Sequence, residues 1–339
     1  MFGLSSLPRN LNAATRDAKH RRVEVRVAAV RDLARLAHDA ERAAAISALV
    51  AVLDSDSEPS VRAQAAVCLS DAQAHEAISD LLRAARAGHV KVREMAVLAL
   101  GETAPSEHAE LRALLEETLN DPAPELRFQS LIAARRLVPS LFAERLAEAT
   151  RDEDMEVRQI AFRLAEEAVD GGEFELPEPV RQRACAALRD DSSAVRLAAA
   201  LLLTRVRDSA GHAVIAAVVK RELRVPSLAD EQAAVELAGE LGLEETRAAL
   251  SRRAFGILGF TRDRLFWHAR VSLARLGDSR ARDALLRGLR AYTRDARTVA
   301  VAAVGRARLV EARPLLRAMS TAHADPDTVA EALAALGPE

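Results

Sequence analysis

The chain has 339 residues and half of them are apolar, so it is long enough to bury a large core. Only 3% are aromatic, and the abundance of Ala, Leu and Arg is typical of closely packed helices. The net charge of −2 excludes a uniformly basic chain that neutralises nucleic-acid phosphates along its whole length.

The first segment, residues 1–22, is basic. It carries five Lys or Arg residues against Asp17 alone, a net charge of +4. It has no long apolar stripe of its own, so we expect an N-terminal cap or arm in front of the remaining chain. It also lacks the basic stretch followed by an apolar stretch that marks a secretory signal, which favours the cytoplasm.

From residue 23 onward, one short pattern returns ten times at intervals of 31 to 38 residues. An anchor residue, apolar in nine copies, is usually followed by Arg, and a small residue stands four positions after the anchor. Such a period is typical of a stacked array of one helical unit. The anchors are Val25, Val61, Val92, Leu126, Val157, Val195, Ala229, Leu265, Ala296 and Thr328.

The second copy shows how each unit is built. Residues 43–53 form a predicted first helix, residues 54–59 a turn, and residues 60–69 a second helix. In the second helix, Val61, Ala65 and Leu69 make a stripe at helical spacing. The small residue in its middle allows the neighbouring helix to approach to roughly 8 Å, and each pair needs its neighbours to bury the stripe.

The arginine after the anchor often has an aspartate six residues upstream, in the turn between the two helices. These acids and bases can pair within one repeat or between adjacent repeats, and either arrangement holds the turns in register. The pairs are Asp56/Arg62, Asp121/Arg127, Asp152/Arg158 and Asp190/Arg196.

Paired helices, a turn aspartate and a Val-Arg opening of the second helix resemble the HEAT-repeat family, and most closely its bacterial, phycobilin-lyase-type repeats. The resemblance implies an all-α fold, a right-handed α-solenoid of about ten helix-pair repeats over residues 23–339, whose second helices line a concave face. The chain departs from the pattern at Asp230, Phe266 and Val329, where the arginine is missing. Irregular insertions are expected near residues 170–179 and 255–261.

Residues 250–297 are a local concentration of positive charge, with 12 arginines and four aspartates. Five of the ten aromatic residues of the chain, including Phe266 and Tyr292, lie in the same stretch. Arginines beside aromatics suit a hot-spot patch for a protein partner, and they can also stack bases, or the aromatics can simply fill space at the insertion. The partner-binding candidates are Arg252, Arg253, Phe255, Phe260, Arg262, Arg264, Trp267 and Arg270.

Enzymatic alternatives arise from other HEAT-like families. Deoxyhypusine hydroxylases of this type carry several His-Glu pairs for a di-iron centre, whereas this chain has one, His75-Glu76. DNA alkylpurine glycosylases need a cationic concave face, and residues 23–249 have a net charge of −13. Nothing selects the tetrapyrrole of a lyase. We therefore expect no catalytic, cofactor-binding or metal-ligating residues.

The sequence predicts a non-catalytic scaffold or adaptor that binds a protein partner on an extended solenoid surface, in signalling or complex assembly. A HEAT-like lyase, hydroxylase or glycosylase, or a nucleic-acid binder, is the alternative. No apolar run of 18 residues is present, so no membrane span is expected. Cys68 and Cys185 lie in apolar helical stretches, which indicates buried thiols in a reducing compartment.

Overall fold

The computed structural model describes residues 9–106, 108–172, 174–256, 263–319 and 321–337. Within these ranges the regular structure consists of α-helices and short 3₁₀ turns, without a strand. The chain divides into two compact units, residues 1–183 and 184–339, hereafter unit 1 and unit 2. The division falls inside one helix, Glu178–Ala187.

The helices up to this division are short and alternate with tight turns. They are α1 (Leu11–Asp17), α2 (Val23–Leu36), α3 (Arg42–Ser55), α4 (Pro59–Asp71), α5 (Ile78–Arg86), α6 (Val90–Thr103), α7 (Ala109–Thr118), α8 (Pro124–Leu137), α9 (Pro139–Ala149), α10 (Met155–Asp170) and α11 (Glu178–Ala187).

Unit 2 continues with helices of similar length. They are α12 (Ser193–Arg205), α13 (His212–Lys220), α14 (Leu228–Glu240), α15 (Arg247–Phe255), α16 (Phe266–Arg275), α17 (Ser279–Gly288), α18 (Arg294–Arg306), α19 (Arg313–Arg317) and α20 (Pro326–Ala335).

The described helices form ten consecutive pairs, and the sequence anchors mark the second helix of each pair. Nine anchors lie inside these second helices, and Leu265 is the residue directly before α16. The small residue four positions later is buried in nine pairs; Ala65, Ser130 and Ala199 are 0% exposed. The predicted all-α class, an α-solenoid of HEAT-like helix pairs, is confirmed.

The seventh repeat corrects the predicted register by one residue. The sequence pattern placed Ala229 and Ala233 at the anchor and small positions, but Ala234 is 0% exposed and Ala233 is only half-buried. Ser227 caps α14 by accepting a hydrogen bond from the backbone N–H of Asp230. One residue is about 100° around a helix, so this start turns Ala234 towards the neighbouring helices.

The turn aspartates pair with arginines of the preceding repeat. Arg26 binds Asp56 through Nε at 2.8 Å and Nη2 at 2.9 Å, and Arg127 binds Asp152 at 2.8 and 2.6 Å. Arg93 binds Asp121 at 2.6 and 3.0 Å. Of the two arrangements that the sequence left open, these three arginines adopt the one between repeats.

Two of these arginines, Arg26 and Arg127, also bind the carbonyls of their own turns. Arg127 Nη1 donates to the carbonyl oxygens of Asp121 and Pro122 at 2.9 and 3.1 Å. Arg297, whose following repeat offers no aspartate at this position, keeps the contacts to its own turn and donates instead to the carbonyl of His323 at 2.6 Å. Each such arginine therefore joins two successive turns.

The start of the chain supplies the first helix of the first pair. Helix α1 contacts α2 and α3, and Arg9 bridges Asp17 and Asp32 at 2.8 Å each. The larger part of the basic segment is thus helix and turn lying on α2, an arrangement compatible with the expected cap.

Candidate partner-binding surface

The six sequence-predicted contact residues that the structure describes do not form one patch. Phe260 and Arg262 lie outside the described residues. The other six separate into a half-buried cluster around Arg270, a buried residue, Arg253, and two exposed cations, Arg252 and Arg264.

Arg270 is the centre of the half-buried cluster. Its guanidinium lies 5.4 Å from the ring centre of Phe255, 5.0 Å from that of Phe266 and 5.4 Å from that of Trp267. Its Nε donates to the carbonyl of Ala254, near the end of α15, at 3.2 Å. Three rings and a carbonyl thus surround one half-buried cation, an arrangement compatible with the space-filling use of the aromatics.

Arg253 is 4% exposed and has a structural role. Its Nε donates to the carbonyl of Val219 at 3.0 Å, near the end of α13. Its Nη1 lies 2.7 Å from Glu231 Oε1, but the angle is too poor for a hydrogen bond. Arg253 therefore ties α15 to α13 and α14, and because its side chain is buried it offers almost no surface to a partner.

Arg252 and Arg264 are exposed and stand at a cavity of about 490 Å³ in unit 2. Leu228 and Val219 form part of its apolar wall, and Lys220 is a further cation at its edge. These two arginines are the sequence candidates that the structure leaves accessible.

Tyr292 is the aromatic residue that the candidate set missed. It lies in the turn between α17 and α18 and is 98% exposed. Arg297 Nη1 donates to the carbonyls of Ala291 and Tyr292 at 2.7 and 3.0 Å, and Thr293 caps α18. A sequence signal existed, because Tyr292 occupies a turn position where no other repeat carries an aromatic residue.

The second-helix face of unit 2 is polar and internally paired. Glu236 on α14 accepts from His268 on α16 at 2.6 Å and from Arg306 on α18 at 3.0 Å. The hydrogen bond from His268 is the main cause that lowers the pKa of Glu236. Arg306 reaches α14 past α16, so one carboxylate links the second helices of three successive repeats.

Groups with catalytic potential are engaged in structure. Burial raises the pKa of the Cys68 thiol to about 11, so the nucleophilic thiolate is scarce at neutral pH. His75 begins a 3₁₀ turn before α5, and its Nδ1 is 2.8 Å from the carbonyl of Thr103. Among the described residues, no group of three His, Cys, Asp or Glu side chains is placed to hold a metal ion.

Stacked helix pairs joined by arginine–aspartate bridges define a helical-repeat protein. Residues 11–101 match the family model for HEAT repeats. No curated protein matches the sequence. YibA of Escherichia coli is similar in structure, with a TM-score of 0.55 and 16% identity over 79% of this chain and 93% of YibA.

A second similar structure is that of Kap95p, a protein whose binding induces the switch loops of RanGDP to adopt the GTP-bound conformation. The TM-score is 0.53 and the identity 12%, over 96% of this chain and 51% of Kap95p, so the chain spans about half the length of Kap95p.

Residues 11–101 are HEAT repeats, and the chain has the fold of HEAT-repeat solenoids. The finer resemblance to phycobilin-lyase-type repeats is carried by none of these matches and stays a prediction. In the part of the chain that the structure describes, no helix is long and apolar enough to cross a membrane.

Proposed function

We propose that the protein is a non-catalytic scaffold or adaptor of the cytoplasm, and that it binds an acidic segment of a partner protein through unit 2. Repeat arrays suit this task because neighbouring repeats build wide surfaces without a dedicated pocket. The likeness to Kap95p, whose own binding acts on RanGDP, supports a protein partner over a small substrate.

The observation that carries the proposal is the exposure of Tyr292. A tyrosine that is 98% exposed contributes no burial to the fold, yet its backbone is fixed by Arg297 and by the Thr293 cap. Tyrosine is enriched at binding hot spots because it buries a large area and loses little side-chain freedom. An anchored, projecting tyrosine is therefore ready to insert into a partner.

The charge around the tyrosine specifies the partner's chemistry. Arg287, Arg290 and Arg294 are exposed on the end of α17, the turn and the start of α18. No ion pair is formed by these three arginines among the described residues, and Asp295 is the exposed acid nearest in sequence. Complementary charge speeds association and fixes orientation, so an acidic partner segment fits this surface.

The non-catalytic part of the proposal is supported by how the reactive groups are used. The Cys68 thiol is held protonated by burial, and the imidazoles of His75 and His268 contact a carbonyl and a carboxylate within the fold. These contacts give the two imidazoles a structural partner, which supports a structural use of these groups.

The test is affinity purification with charge reversal. Tagged wild type, the double variant Arg290→Glu/Arg294→Glu and the control Arg151→Glu/Arg189→Glu are compared at equal abundance, because Arg151 and Arg189 are also exposed. A protein retained by wild type and the control but lost from the Arg290/Arg294 variant is then purified. Its binding should weaken as salt rises. Equal retention by all three forms refutes the proposal.

A further inference from the structure

Unit 2 contains a cavity of about 490 Å³ whose lining residues do not include Tyr292. The proposed protein partner therefore leaves this cavity without a role. Its walls come from α13, α14 and α15 and from the residues just before α16. This volume is within the range of sites for small molecules. Both members of the ion pair between the buried Arg253 and the half-buried Glu231 line the cavity.

The cavity has a surplus of positive charge. It is lined by two carboxylates, Glu231 and Asp263, which are ion-paired with Arg253 and Arg221 respectively. Three further cations line it, and none of them forms an ion pair or donates a side-chain hydrogen bond within the described ranges. These are Lys220, Arg252 and Arg264.

One wall of the cavity is apolar. Leu228, the first residue of α14, is 47% exposed although it is a large aliphatic side chain, and Val219 and Ala249 line the cavity with it. An exposed leucine in a concave site is a surface that an apolar part of a ligand covers favourably. The lining thus combines three free cations with an aliphatic wall.

We propose that this cavity binds a phosphomonoester, with the phosphate at Lys220, Arg252 and Arg264 and the organic substituent against Leu228. A phosphate dianion matches a surplus of several positive charges better than a single carboxylate does. Guanidinium groups also bind phosphate oxygens in pairs, which fixes its orientation. The site is separate from the Tyr292 turn and stands or falls independently of the proposed protein partner.

The test is isothermal titration calorimetry of the full chain with three probes: phenyl phosphate, inorganic phosphate and benzoate. Phenyl phosphate should bind most tightly, because it alone offers both a dianion and an apolar body. No heat with phenyl phosphate at millimolar concentration overturns the proposal. Benzoate or inorganic phosphate binding as tightly as phenyl phosphate overturns the assigned ligand class.

Two variants separate the two parts of the site. Arg252→Gln/Arg264→Gln should lower the affinity for both phenyl phosphate and inorganic phosphate about tenfold or more, because two charge-assisted contacts are lost. Leu228→Ser should reduce the affinity for phenyl phosphate to that for inorganic phosphate. The matched control Arg151→Gln/Arg189→Gln should bind as wild type. An equal loss in the control, with circular dichroism unchanged in all variants, means non-specific charge binding and overturns the site.

Discussion

Removing the guanidinium of Arg127 tests whether the arginine–aspartate bridges hold neighbouring repeats together. Arg127→Ala deletes the two contacts to Asp152, at 2.8 and 2.6 Å, and two donations to carbonyls of its own turn. The side chains of Arg127 and Asp152 are 10% and 12% exposed. The variant thus leaves a mostly buried carboxylate without its cation, although this carboxylate still accepts a hydrogen bond from the backbone N–H of Asp154 at 2.9 Å.

The expected loss in the free energy of unfolding is about 3 kcal/mol, the lower end for a broken buried pair because a tenth of each side chain still reaches water. Arg112→Ala is the matched control. Arg112 also contacts two carboxylates, Glu116 at 2.9 Å and Glu144 at 2.8 Å, but its side chain is 43% exposed. Exposed pairs of this kind contribute under about 1 kcal/mol.

The assay combines urea unfolding with hydrogen exchange of the amides in α8, α9 and α10. Exchange reports the local opening of a repeat even if the two units do not unfold together. Adding Asp152→Ala to Arg127→Ala should cost far less than Asp152→Ala alone, since the two residues act as one unit. The structural role of the bridges is refuted if Arg127→Ala lowers the free energy of unfolding no more than Arg112→Ala does. It is also refuted if the losses from Arg127→Ala and Asp152→Ala simply add in the double variant.

Two further results are expected from single substitutions. Gly239→Ala should destabilise unit 2 by about 1–3 kcal/mol or more in thermal melts, because the new Cβ would lie 2.4 Å from Ser272 Cα. Gly101→Ala is the comparison. Its new Cβ would meet the nearest atom at 3.4 Å, so this variant should be neutral or stabilising in the same assay. Burial tends to raise the pKa of Asp121, but hydrogen bonds from Arg93 and a backbone N–H outweigh it and hold that pKa below its ordinary value. Its stabilising contribution is therefore present above about pH 4 and lost as the pH falls through the lower folded pKa. Asp121→Asn should flatten the acid limb of a stability–pH profile, and an unchanged limb would contradict the assignment.

The helix pairs were predictable from sequence because close helix packing constrains side-chain size at one position in every repeat. Ala65 and Ala199 are small since a neighbouring helix passes over them, and that requirement is visible in the chain itself. The register of the seventh repeat could not be predicted, because Ala233 and Ala234 are adjacent alanines. Only the helix start set by Ser227 decides which of the two is buried.

The candidate site was only partly predictable, because composition does not show which way a side chain points. Arg253 and Arg270 have the same residue type as Arg252, but they engage helix-end carbonyls and aromatic rings inside the fold. Tyr292 stands apart from the other aromatics in sequence, and its full exposure depends on the turn that Arg297 fixes. Burial therefore separates residues that share one local composition, because Arg253 is 4% exposed whereas its neighbour Arg252 is exposed.

The most direct test of the central claim is site-specific photo-crosslinking from the Tyr292 position. Benzoylphenylalanine is introduced in place of Tyr292, and separately in place of Arg151 as an exposed control in unit 1. We predict a discrete protein adduct from position 292 that disappears in the Arg290→Glu/Arg294→Glu background and is absent from position 151. No adduct at position 292, or the same adducts at both positions, would contradict a partner-binding role for this turn.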